Sequence, residues 1–244
     1  MGLAWWVGIL TLCAIVMANS RPIRLVLFDV DGTLVHTGGA GVTAFARALH
    51  SEFGVPNGTE LLKFGGRTDF SLVRELFSHT QIEPSERNFE RFFAAYLGWL
   101  EKLIVERDGG ACPGVAEFCR ALAARPEPPL VGLLTGNIRR GAQIKLGRYG
   151  MWEQFPFGAF SDDHEDRNQI AAIALQRGSE RLGRPLLGEE ALVIGDTPLD
   201  IRCARAIGAK VLAVATGRFT VPELEEHKPD WAVEDLSRVS LDEL

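Results

Sequence analysis

From residue 24 onward the chain alternates short apolar runs with longer stretches in which apolar residues recur every three or four positions. The runs predict strands over 24–30, 130–134, 157–160, 191–194, 210–214 and 231–233. The periodic stretches predict helices over 115–124, 139–149, 168–182, 199–207 and 222–226. The strands are apolar throughout, not at alternate positions, as expected of a sheet covered by helices on both faces. Strand–helix alternation of this kind predicts an α/β fold with a mostly parallel sheet and right-handed crossovers.

One interval breaks the rhythm. Residues 38–109 carry no convincing strand pattern, only helical periodicity over 42–53, 70–78 and 85–107. Glycines flank it on both sides, in "TGGAG" and "RDGGACPG". The expected organisation is a core built from 22–37 and 110–244, with 38–109 inserted as an all-helical cap on glycine hinges. The competing reading is a helical subdomain that never moves. Phe89, Phe92, Phe93, Tyr96 and Trp99 recur at helical spacing, which fits the interior of that cap better than a platform for stacking nucleic-acid bases.

Residues 1–21 stand apart. "MGLAWWVGILTLCAIVMA" is apolar throughout and has no positive residue ahead of its apolar run. It reads first as a segment upstream of a true start at Met17, second as a signal peptide and third as a membrane anchor of marginal length. The first reading gives a cytoplasmic protein without stable membrane association, the other two an exported or anchored one. The 244 residues carry a net charge of −6 with no basic run, so a sequence-independent grip on nucleic-acid phosphates is not expected. Cys13, Cys112, Cys119 and Cys203 form no CxxC pair and no histidine stands at ligand spacing, which predicts buried free thiols in a reducing compartment.

The chemistry gathers at strand ends. In open α/β sheets ligands bind in the crevice outside the carboxyl ends of the strands. Here the first strand ends in Asp29-Val30-Asp31-Gly32-Thr33 and the next in Thr135-Gly136-Asn137. Another is followed by "SDDHEDRN", which contains Arg167, and the fourth runs into Gly195-Asp196-Thr197-Pro198-Leu199-Asp200. Two carboxylates at the end of a buried strand repel each other and resist desolvation unless a cation or a proton intervenes. Asp29 and Asp196 are hard oxygen ligands of the kind Mg²⁺ takes. A carboxylate can also attack phosphorus to give an aspartyl-phosphate, and Asp31 is placed to protonate the leaving oxygen and later activate water. Thr135 and neighbouring backbone N–H groups can hold phosphoryl oxygens, with Arg167 neutralising charge.

"FDVDGTLV" resembles the first motif, DxDGT, of the haloacid dehalogenase-like hydrolase superfamily. "LLTGN" is similar to its second motif and "IGDTPLDI" to its fourth, in the same order. The helical insert lies where the family's type 1 caps lie, as in phosphoglycolate phosphatases and β-phosphoglucomutases. The resemblance covers residue 24 to the C-terminus and implies a Rossmann-like core. It implies Asp29 as nucleophile and Mg²⁺ ligand, and Asp31 as general acid/base whose backbone carbonyl also meets the ion. It further implies Asp196 and Asp200 as acidic metal residues and Thr135 as a phosphate binder. Gly32, Thr33, Gly136 and Asn137 then stand as substrate-binding candidates. Because dehalogenases carry a different residue at the second aspartate, Asp31 points to phosphatase or phosphomutase chemistry.

The third motif departs from the family, which commonly carries a lysine there. Arg167 is the cation at that place; otherwise Lys145 or another cation substitutes. Arginine offers a bidentate fork but not a compact ammonium. In "GGRTDFSLV", Arg67 reads either as a contact to an anionic leaving group or as a solvated neighbour of a helix capped by Thr68 or Asp69. His36 reads as a hinge or entrance residue, and His50, His79, His164 and His227 take no role. The expected activity is Mg²⁺-dependent hydrolysis of a small phosphate monoester, phosphoglycolate-like, with a phosphomutase as the alternative and a non-catalytic binding module behind both.

Overall fold

The structure, a computed structural model, describes residues 21–244. Its first strand, β1 (Leu25–Phe28), is buried along its whole length. Val26 and Phe28 face one side of the sheet and Leu25 and Leu27 the other, each joining a separate apolar cluster. This is the period-two placement of a strand between two helical layers. β4 (Leu130–Leu134) and β6 (Ala191–Gly195) flank β1 in parallel, and β5 (Gly158–Ala159), β7 (Lys210–Val214) and β8 (Trp231–Val233) extend the sheet. The order β5-β4-β1-β6-β7-β8 is parallel throughout. β1 stops two residues short of the expected end because the Val30 carbonyl turns to accept from Leu34 and Val35.

One face of the sheet is covered by α4 (Val115–Ala123) and α5 (Arg139–Arg148), the other by α6 (Arg167–Leu182), α7 (Pro198–Ala206) and α8 (Val221–Glu225). The inserted helices are α1 (Ala40–Phe53), α2 (Asp69–Thr80) and α3 (Glu86–Glu106). Their apolar faces meet in a third cluster where Phe45 packs edge-on against Phe92 and Tyr96, with centroids 5.1 and 4.6 Å apart. Phe89, Phe93 and Trp99 pack in the same cluster, as the helical spacing predicts. The molecule is thus a Rossmann-like parallel sheet with an inserted helical cap.

Where the chain leaves and re-enters the core, two short strands pair. β2 (Val35–His36) and β3 (Gly110–Ala111) form an antiparallel ribbon, Val35 opposite Ala111 and His36 opposite Gly110. Two residues per strand are too few to give a hydrophobic period, so this junction is invisible to patterning.

The thiols of Cys112, Cys119 and Cys203 are free, and burial pushes Cys112 and Cys203 up to about 12 and Cys119 up to about 11. Such thiols are poor nucleophiles. Among the described residues no helix is long and apolar enough to cross a membrane. The apolar segment at residues 1–18, with Cys13, lies outside them.

Candidate active site

All four polar strand ends meet at one edge, under the cap, around a cavity of about 440 Å³. Asp29, Asp31, Gly32, Thr135, Gly136, Asn137, Arg167 and Asp196 all line it. Each arrives by a local device. The turn after Asp29 needs Gly32 at φ 80°, and a Cβ there would meet Asp196 Oδ2 at 2.6 Å. Thr216, on the loop after β7, fixes that turn by donating to the Gly32 carbonyl. Thr33 donates to Asp196 Oδ1 at 3.3 Å. Thr197 caps α7, and Asp200 answers it: Oδ2 accepts from the Thr197 N–H at 3.0 Å and from its hydroxyl at 2.6 Å.

Asp29, Asp196 and Asp200 are all buried, and one oxygen from each lies within 4.8 Å of the others. Arg167 answers part of this charge. Its Nη2 donates to Asp29 Oδ1 at 2.9 Å and to Asp200 Oδ1 at 2.5 Å, and its Nη1 reaches the Gly66 carbonyl of the cap at 3.1 Å. One guanidinium cannot balance three carboxylates. Burial pushes Asp29 up to about 6 against the pull of Arg167, and burial with the neighbouring Asp200 and Asp29 carboxylates holds Asp196 well above the usual range. A divalent cation with a preference for hard oxygens fits this set, and Asp29 and Asp196 could hold it. Asp200 has both oxygens engaged by Thr197 and Arg167.

Thr135 is fully buried and its hydroxyl accepts from both the backbone and the side-chain nitrogen of Asn137, at 3.3 and 2.9 Å. A hydroxyl that accepts twice still has its own proton to donate. The "SDDHEDRN" stretch contributes Arg167 alone to the cavity. Its acidic residues are structural: Asp163 pairs with Arg177, Glu165 with Arg74, and Asp166 caps α6.

Arg67 lines the cavity, and its guanidinium is bonded within the cap. Glu75 takes Nη1 at 2.5 Å and the Ser71 carbonyl takes Nη2 at 3.3 Å, while Thr68 caps α2 by accepting from the Ser71 N–H. His36 lies exposed on β2 at the cavity wall.

Two residues escaped sequence reasoning as members of the site. Lys145 appeared only as a substitute for Arg167, yet it is buried on α5 with Nζ 2.5 Å from Asp31 Oδ2. The available signal was a lysine on the apolar stripe formed by Ile138, Ala142 and Leu146. Asp69, at the start of α2, accepts from the Ile138 N–H at 2.8 Å, and its own N–H donates to the Gly136 carbonyl at 2.7 Å. It thereby clasps the cap to the core beside Phe70, whose N–H donates to Ser161 Oγ at 3.0 Å.

Burial pushes Asp69 up to about 7. The folded protein keeps this proton at pH values where the unfolded chain has lost it, so its contribution is present in acid and is lost as pH rises towards about 7. Asp69→Asn, which stays neutral, is expected to lose less stability between pH 5 and 8 than wild type, by on the order of 2 kcal/mol. Urea unfolding at the two pH values checks this; parallel losses in both proteins contradict it.

Comparison with known proteins agrees with the geometry. Residues 26–214 match the family model described as haloacid dehalogenase-like hydrolase. Over 222 residues the chain is 28% identical to the pyrophosphatase PpaX of Bacillus cereus, covering 88% of this chain and 94% of that one. It is 25% identical over 228 residues to the phosphoglycolate phosphatase of Pseudomonas fluorescens, covering 88% and 78%. A crystal structure of a hydrolase from Pseudomonas syringae shares the fold at a TM-score of 0.69 and 23% identity, covering 91% of this chain and 99% of the other. With the acidic strand ends, the cap and the family match in agreement, the chain belongs to the haloacid dehalogenase-like hydrolases, as a phosphatase of that family.

Proposed function

We propose that the protein is a Mg²⁺-dependent phosphatase that hydrolyses a small organic phosphate monoester, phosphoglycolate-like in size, through an aspartyl-phosphate on Asp29. The observation that carries this reading is the meeting of Asp29, Asp196 and Asp200 within 4.8 Å, with Asp31 two residues from the attacking group. Asp29 attacks phosphorus while Arg167 holds its Oδ1, and Asp31 gives a proton to the departing oxygen. Asp31 then takes a proton from water, which attacks the phosphoryl group and frees Asp29 and inorganic phosphate. Thr135 donates its hydroxyl proton to a phosphoryl oxygen, aided by the backbone N–H groups of Gly136 and Thr33. Asp29 and Asp196, with the Asp31 carbonyl, would hold Mg²⁺, which would supply positive charge between an anionic nucleophile and an anionic substrate. The cap excludes bulk water and limits the size of the leaving group. Arg67, tied to Glu75, belongs to the cap framework in this reading.

The test is a panel of phosphate esters, with phosphoglycolate and pyrophosphate included because the relatives' names point to them. Hydrolysis of p-nitrophenyl phosphate with and without Mg²⁺ sets the baseline, and no turnover of any ester would overturn the reading. A hexose 1-phosphate separates the two chemistries: inorganic phosphate marks a phosphatase, and an isomeric sugar phosphate marks a mutase. Mg²⁺ at about 100 times its Kd is also expected to raise the melting midpoint, by about 5–10 °C for roughly 2.7 kcal/mol of linkage. Asp196→Asn should abolish that rise, and a rise that survives the substitution would place the ion elsewhere.

A further inference from the structure

Lys145 is an ammonium with its side chain only 6% exposed, inside the cavity wall, and the chemistry above leaves it without a task. It closes a three-membered cycle of side chains. Lys145 Nζ donates to Asp31 Oδ2 and to Asn137 Oδ1, both at 2.5 Å, and Asn137 Nδ2 donates to Asp31 Oδ2 at 2.8 Å. Asn137 is anchored in turn by its 2.9 Å bond to Thr135. Both donors converge on one oxygen of Asp31. Among the described residues no protein donor reaches the other, Oδ1, although Asp31 lines the cavity and is 42% exposed at its side chain. The cap closes over this arrangement, since a Cβ on Gly41 of α1 would lie 3.5 Å from Nζ, and Asp69 and Tyr96 also line the wall.

We propose that Lys145 is a positioning residue: with Asn137 it grips Asp31 by Oδ2 and aims the free Oδ1 at the oxygen that bridges phosphorus and the leaving group. The inference rests on the phosphatase reading above. It explains why a strongly desolvated cation is kept two turns into α5. A carboxylate held at one oxygen keeps a single orientation through both half-reactions, whereas an unheld one samples several rotamers.

Leaving-group chemistry exposes such a role. Nitrophenolate departs without a proton, whereas an alkoxide must receive one as the bond to phosphorus breaks. The quantity kcat/KM reports on events up to phosphorylation of Asp29, where this difference acts. Lys145→Met is therefore expected to lose about 100-fold in kcat/KM on the best alkyl phosphate of the panel, at the low end of general-acid contributions. On p-nitrophenyl phosphate its loss should be at least about tenfold smaller. Asp31→Asn should show the same selectivity, and the double variant should lose little beyond Asp31→Asn alone. Lys145→Arg folds with its charge kept but cannot present a compact ammonium to both oxygens; it should show the same selectivity more weakly. Equal losses on the two esters, or additive losses in the double variant, overturn the positioning role while leaving the phosphatase standing. Wild-type protein that hydrolyses neither ester overturns both.

Discussion

Asp29→Asn is expected to remove turnover while making the metal-free protein more stable. The carboxylate is the proposed nucleophile, and an amide of the same shape cannot form the acyl phosphate. The loss in kcat on p-nitrophenyl phosphate should be on the order of 10⁴-fold or more, the scale on which removal of a nucleophile registers. The stability effect has the opposite sign. Burial raises the Asp29 carboxyl to about 6, so between its ordinary value and about 6 the folded state holds a proton that the unfolded chain has released. Stability contributed by that group falls as pH rises through this window, and at pH 7.5 the fold carries an ionised carboxylate in an unfavourable place. A neutral amide relieves it, at the expense of one bond from Arg167, which keeps Asp200. The melting midpoint without Mg²⁺ should rise by about 2–4 °C, for ~1 kcal/mol. Activity lost with stability gained separates a working group from a structural one. A variant that retains wild-type kcat would sink the nucleophile assignment.

Arg167→Met is expected to have the largest effect on stability. The guanidinium is buried, touches Asp29, Asp200 and the Leu134 and Gly66 carbonyls, and even leaves its Nε buried without a partner. Removing one member of a buried charged set typically costs about 3–5 kcal/mol, because the remaining charges stay in place. Here three carboxylates would face each other alone. Urea unfolding in metal-free buffer should show that loss, and Mg²⁺ should recover part of it by supplying charge at the same place. Arg167→Lys provides the finer reading. An ammonium can serve Asp29 and Asp200 but cannot also span to Gly66 on the cap. That variant should hold most of its kcat and show a raised KM. If Arg167→Met unfolds like wild type, the guanidinium is not the counter-charge described above.

Much of this architecture can be read from the chain. The six sheet strands announce themselves because they are buried on both faces and hence apolar without interruption. The acidic site is legible for a related reason: Asp29 and Asp196 interrupt such runs, where a carboxylate is costly unless a cation or a proton answers it. Arg167 was traceable because it opens a helix after a strand end, although the acidic residues around it proved to be ion pairs and caps. Lys145 and Asp69 were not, since a lysine in a helix and an aspartate at a helix start look ordinary until tertiary contacts enclose them. Arg67 is a mixed case, since it does line the cavity. Its setting among glycines suggests a ligand contact, but Glu75, eight residues on, lies within reach once α2 forms. One-dimensional patterning records which residues a segment needs, not which distant side chain arrives first.

The two-residue ribbon at Val35–His36 and Gly110–Ala111 makes the chain's departure and return adjacent. Whatever is spliced between those positions closes a loop whose ends are already together, and the entropy of closing a loop grows only slowly with its length. The segment can therefore lengthen or shorten at little cost in closure, provided that the contacts of Asp69, Phe70 and Gly66 with the core are kept. Tolerance to changes of length thus belongs to the parts of the insert that do not touch the acidic edge.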